Sequence, residues 1–185
     1  MFPSDDGTGK PLALEISPLS SGFLMLHTIN TTNQVIKTKA TLNFEPLAAT
    51  AYTKTDTYIA FSNNFALPPY STGVVETKSC AVPPDAQFWS LTTLAHKRAA
   101  QTRVLDRPSV LLDSPDWAHP VIETVEKPPF VRFGSTKLTY ECRFDNPSNR
   151  TIRRGDSYQS DEECLAVGYF FRATRPFACS DGYGP

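Results

Sequence analysis

Sixteen prolines are spread along 185 residues, and that density constrains the fold before anything else does. Proline gives no amide hydrogen to a helix and clashes with the preceding turn, so it belongs at helix starts, in turns and at sheet edges. A helical bundle is therefore excluded. The stretches Tyr58–Phe61, Gly73–Lys78, Ala86–Thr93, Gln101–Leu105, Pro120–Val125, Lys137–Phe144 and Glu163–Phe171 read instead as short strands. Turn-rich separators such as Leu67-Pro68-Pro69-Tyr70 and Asp145-Asn146-Pro147-Ser148-Asn149 stand between them. Only Leu94 to Gln101 has room for a helical turn. Many short strands with little helix predict an all-β fold, an antiparallel jelly-roll-like β-sandwich.

The first part of the chain has a different texture. Met1 to about Ser21 is rich in Gly, Pro and Ser and reads as an extended lead-in. Two strand-like runs follow, Gly22–Ile29 and Val35–Phe44, separated by the polar Asn30-Thr31-Thr32-Asn33-Gln34. In the second run Ile36, Thr38, Ala40, Leu42 and Phe44 alternate with Lys37, Lys39, Thr41 and Asn43. Period two with one polar, basic face predicts a half-buried strand, and the pair predicts a hairpin.

Lys plus Arg is 18 and Asp plus Glu is 19, a formal net charge of -1. That balance argues against a nucleic-acid partner or an anionic membrane surface. Arg150, Arg153 and Arg154 flank Gly155 without interleaved aromatics, so they do not alter that expectation. No run is long and apolar enough for a membrane span. The opening Met1-Phe2-Pro3-Ser4-Asp5-Asp6 shows no basic segment followed by an apolar run, so no signal peptide is expected there. Cys80, Cys142, Cys164 and Cys179 form no C-x-x-C pair and allow three disulfide pairings. Bridges would point to an oxidising compartment, and the chain would then be a mature fragment.

Chemistry-bearing residues are sparse. His27, His96 and His119 contain no pair at metal-binding spacing. His119, in Trp117-Ala118-His119-Pro120, is expected to pack beside Trp117, and His96, beside Lys97 and Arg98, reads on its own as a solvent-exposed loop residue. Asp161-Glu162-Glu163 lacks the calcium-loop pattern, and such acidic runs are usually solvated. No G-x-S-x-G elbow, P-loop or G-x-G-x-x-G occurs.

The run Phe88-Trp89-Ser90-Leu91-Thr92-Thr93-Leu94-Ala95-His96-Lys97-Arg98 nevertheless resembles a copper-ligand segment. The family is that of the type II, ascorbate-dependent copper monooxygenases, which includes peptidylglycine α-hydroxylating monooxygenase, dopamine β-monooxygenase and bacterial relatives. There the segment is a strand ending in His-x-His. Ser160-Asp161-Glu162-Glu163-Cys164 resembles the family's Ser/Thr-Asp-Glu-Met-Cys, whose methionine is the third ligand of the same copper. Asp116–Pro120, Leu138–Asn146 and Phe23–Thr32 are similar to further family segments in the expected order, the last to a strand giving a histidine to the other copper. The resemblance runs from about residue 22 to 179. It implies the pairings Cys80–Cys179 and Cys142–Cys164, and it divides the chain into 1–45, a lead-in and hairpin resembling the end of the family's first domain, and 46–185, a second-domain-type sandwich.

The ligand positions depart from the family. They are occupied by Leu94, His96 and Glu163, so one ligand has no lone pair and a hard carboxylate replaces a soft thioether. His27 matches one histidine of the other copper, whose remaining ligands would lie in the largely missing first domain. The resemblance thus implies a non-catalytic binding or structural module derived from the second domain, with no cofactor, or copper if the site retains binding through His96, Glu163 and His27. The alternative is part of a copper- and ascorbate-dependent monooxygenase whose first domain is missing or on a partner chain. A zinc-type site from His96 with Asp161, Glu162 and Glu163 is a third reading. In a vacated site Leu94 is expected to fill space and Glu163 to pair with Lys97 or Arg98. The hairpin 22–44 is expected to pack on the sandwich or to pair with a protein partner or a second copy. The inferred disulfides place the chain in a secreted or periplasmic setting.

Overall fold

The computed structural model describes residues 3–18, 28, 30, 32–48, 51–172 and 175–183. Among them there is no helix, and the strands build a β-sandwich. One sheet contains β1 (Leu12–Leu14), β2 (Thr53–Phe61), β5 (Gln87–Ala95), β8 (Ile122–Thr124), β11 (Cys164–Phe171) and β12 (Phe177–Ser180). Its order is β1-β2-β11-β5-β8, with β12 also on β2. The facing sheet has the order β4 (Ser71–Ala81), β9 (Lys137–Asn146), β6 (Ala99–Asp106), β7 (Ser109–Ser114). A short pair, β3 (Ala66–Leu67) with β10 (Ile152–Arg153), stands beside them.

Alternation decides which residues face inward. On β2, Tyr58 and Ala60 are fully buried while Ile59 and Phe61 are only partly covered. Tyr58, Phe88 and Phe170 from the first sheet meet Val104, Leu138, Tyr140 and Phe144 from the second in one core. Ring pairs knit it, Tyr58 edge-on to Phe88 at 5.4 Å and Phe88 stacked on Phe170 at 5.5 Å. Gly168 belongs to this packing, because a Cβ there would sit 2.7 Å from the Phe88 ring. A smaller cluster of Trp89, Phe130 and Phe171 lies apart from it.

Both disulfides expected from the resemblance are present, and both join one sheet to the other. Cys80 on β4 bonds Cys179 on β12, and Cys142 on β9 bonds Cys164 on β11. Such bridges fit an oxidising, extracytoplasmic environment.

Three expectations need correction. The strands are antiparallel except that β1 and β12 both run parallel to β2, against Thr53–Thr55 and Tyr58–Phe61. The run 35–44 is not a half-buried strand: residues 32–48 show no strand pairing among the described residues and are exposed, Val35 to 97% and Phe44 to 67%. The outer edge of β2 is taken by β1 and β12, so the run does not join it there, and alternation by itself supplies no partner. Its packing on the sandwich is therefore not formed over 35–44, and its expected partner strand falls mainly on residues 22–27 and 29, outside the described ones. Third, the lead-in is not separate from the sandwich, since Leu12–Leu14 is part of the first sheet.

A bridge stabilises by restricting the unfolded chain, and more so when it closes a longer loop. Cys80–Cys179 spans 99 residues and Cys142–Cys164 spans 22. Replacing each pair by alanines is expected to cost about 5 and about 3 kcal/mol respectively. Denaturant unfolding of the two double variants checks the ranking; an equal loss, or the reverse order, would refute the loop-length account.

Candidate functional site

Strand β5 leaves the first sheet at Ala95, turns through His96-Lys97-Arg98 and enters the second sheet as β6. The Ala99 amide donates to the His96 carbonyl at 3.0 Å, closing the turn. Beside it, β11 begins at Cys164, which the register sets opposite Ala95. The residue after Ala95 and the residue before Cys164 thereby become neighbours. His96 Nε2 lies 3.7 Å from Glu163 Oε2, and the His96 residue is only 4% exposed. Its Nδ1 faces the Asp161 carbonyl oxygen at 3.3 Å, which assigns the ring proton to Nδ1.

Glu162 governs this corner. In an extended chain successive side chains point to opposite sides, so Glu163 reaches His96 while Glu162 turns inward and is fully buried. Its Oε2 accepts from the His96 amide at 3.0 Å and its Oε1 from the Arg98 amide at 2.8 Å. The Arg98 guanidinium approaches Oε1 at 3.5 Å and also donates to the carbonyls of Gln159 and Asp161, at 3.1 and 3.3 Å. Burial pushes the Glu162 carboxyl up to about 7, against the opposing pull of the Arg98 and His96 amides and the Arg98 charge. A carboxylate that would be expensive to bury alone is thus held by amides and one cation.

The residues singled out in the sequence divide clearly. His96 and Glu163 come together. Leu94 does not complete a site; it is 42% exposed, opposite Leu165 on the outer face of the sheet. It therefore fills no buried vacancy. Glu163 pairs with His96 rather than with Lys97 or Arg98; Arg98 is engaged by Glu162, and Lys97 Nζ lies over the Tyr158 ring at 5.9 Å. The three consecutive acids diverge, since Asp161 Oδ2 accepts from the Ser157 amide at 3.3 Å. Among the described residues no group of three or more His, Cys, Asp or Glu side chains is placed to hold a metal. His119 does not pack inward beside Trp117: its side chain is 87% exposed and its Nδ1 is 3.0 Å from Asp116 Oδ2. His96 is the reverse, expected in solvent and found buried. His27 lies outside the described residues.

A copper centre of the type the resemblance implies takes two imidazoles and a thioether. The donors at these positions are one imidazole and one carboxylate, with the hydrocarbon of Leu94 at the third, so the set does not fit such a centre. The sequence reading took Glu162 only as a solvated acid or a zinc ligand, and missed its buried role in holding the turn. Its place in an acidic triplet suggested solvent, and only its parity against Glu163 distinguished it. Neither protein-family models nor curated proteins match this chain.

The buried carboxyl has a pH signature. Between the ordinary glutamate value of 4.5 and about 7, folded Glu162 keeps a proton that the unfolded chain has lost. Its contribution is fully present below the lower value and is lost as pH rises through the upper one. Relative to Glu162→Gln, the protein is expected to lose roughly 2 kcal/mol of stability from pH 5 to pH 8. Denaturant unfolding across that range checks it, and parallel profiles for the two proteins would refute it.

Proposed function

We infer that the chain serves as a non-catalytic binding or structural module, a monooxygenase-type second-domain sandwich that has lost its copper site. One observation carries this reading: at the position that would supply the second imidazole, Leu94 presents a half-exposed hydrocarbon side chain on the sheet surface. One imidazole and one carboxylate remain, too few donors and too hard a set for a copper that must shuttle between oxidation states. The inter-sheet disulfides support a secreted or periplasmic setting. The partner on this reading is another protein or a second copy of the chain, engaged through the 22–44 segment.

A second reading, part of a copper-dependent monooxygenase completed by another chain, draws on the 3.7 Å approach of His96 to Glu163. Calorimetric titration with copper decides between them. The module reading expects no sub-micromolar binding of one copper per chain. Tight one-to-one binding that His96→Ala abolishes would overturn it. Leu94→His combined with Glu163→Met is expected to raise copper affinity at least about a hundredfold by restoring an imidazole and a thioether.

A further inference from the structure

The two outer faces of the sandwich differ in kind. That of the four-stranded sheet is a charged network: Arg103 reaches Asp113 at 3.1 Å and Glu141 at 3.8 Å, and Arg107 reaches Glu141 at 3.9 Å. That is a surface made for water. Across the other sheet the register aligns Ile59 of β2, Val167 of β11, Thr92 of β5 and Ile122 of β8, with Phe61, Leu165 and Leu94 in the next row. Leu94 is 42% and Ile122 65% exposed. Contiguous apolar surface of this sort marks an interaction site.

The row ends at an open edge. Among the described residues β8 is the last strand of its sheet and pairs only with β5. The other sheet's edge strand β4 is guarded by inward-facing charges, Glu76 opposite Cys142 and Lys78 opposite Tyr140, ion-paired at 3.4 Å. Such charges discourage strand addition. β8 carries a single inward-facing charge, Glu123 opposite Leu91, where a lysine on an added strand would supply the counter-ion. It offers Ile122 on the apolar outer face and Glu123 on the other side, and the Glu123 carboxylate makes no ion pair among the described residues.

The chain carries a strand of matching pattern that its own sandwich leaves unused. Ile36-Lys37-Thr38 repeats the apolar-charged-Thr order of Ile122-Glu123-Thr124 with the opposite charge. Placing Lys37 opposite Glu123 puts Ile36 and Thr38 on the same side as Ile122 and Thr124 in either strand direction. Ala40, Leu42 and Phe44 then prolong the apolar face, and Lys39 stays on the side of Glu123. Residues 35–44 are exposed and show no strand pairing among the described residues, so both complementary surfaces are available at once.

We propose that the 36–44 segment of one copy adds as a strand to the free edge of β8 in a second copy, and that reciprocal exchange closes a two-fold dimer. This rests on the module reading and names its partner and the surface that receives it. Charge complementarity at Glu123 and continuity of the apolar row argue for it together.

Sedimentation of the full chain, with charge-swapped variants, tests the proposal. The unmodified protein is expected to form a reversible dimer. Glu123→Lys, or Lys37→Glu with Lys39→Glu, is expected to weaken that dimer at least about tenfold. Mixing the two variants, or combining the three changes in one chain, is expected to restore it. All three positions are exposed, and an unchanged melting temperature would show that the variants fold. A monomer at every concentration overturns the proposal, including one whose 36–44 amides are protected by docking on its own chain. A dimer indifferent to all the swaps overturns it too. Copper titration is independent of these outcomes, so the two readings can fail separately.

Discussion

A glutamate that the solvent cannot reach holds the corner on which the rest of this molecule turns. Glu162 accepts the amides of His96 and Arg98, the two residues that bracket the crossing from one sheet to the other. Without an acceptor those amides would be orphaned in the interior, at a cost of about 1–3 kcal/mol each. The carboxyl also fixes the parity of its neighbour, so Glu163 meets His96 because Glu162 faces the other way. Cys164 follows directly and bonds Cys142 across the sandwich, so the corner is tied covalently as well.

This arrangement separates scaffold from chemistry. The turn at 96–98, the loop before β11 and the disulfide form one unit, with Arg98 drawing in the carbonyls of Gln159 and Asp161. Two potential donors are brought close by it. Yet Leu94 offers no lone pair and lies half exposed on the outer face of the sheet, in a row that continues through Leu165 and Phe61. The corner is well satisfied by hydrogen bonds while the donor set it presents is poor.

The sequence revealed the long strands because each carries its own alternation. Gln101–Leu105 lies within a strand that extends two residues before it and one after, and Lys137–Phe144 within one that starts at Lys137 and runs two residues further. The short parallel additions β1 and β12 carried no such signal, since three or four residues cannot display a period. Alternation also misled at 35–44, because a period of two tells which side a strand would bury but not which strand, if any, it pairs with. The disulfide pairing followed from the family resemblance, as spacing left three choices open. Glu162 was hidden by its neighbours: Asp161, Glu162 and Glu163 are alike as residue types, and only the fold sends the middle one inward.

Glu162 has no solvent-accessible surface, and that burial sets where its carboxyl titrates. Nuclear magnetic resonance titration of its side-chain carboxyl carbon reads that directly in the unmodified protein. A midpoint near 7, well separated from those of exposed glutamates, is the expected result. A midpoint at the ordinary value of 4.5 would contradict it, and with it the corner as described.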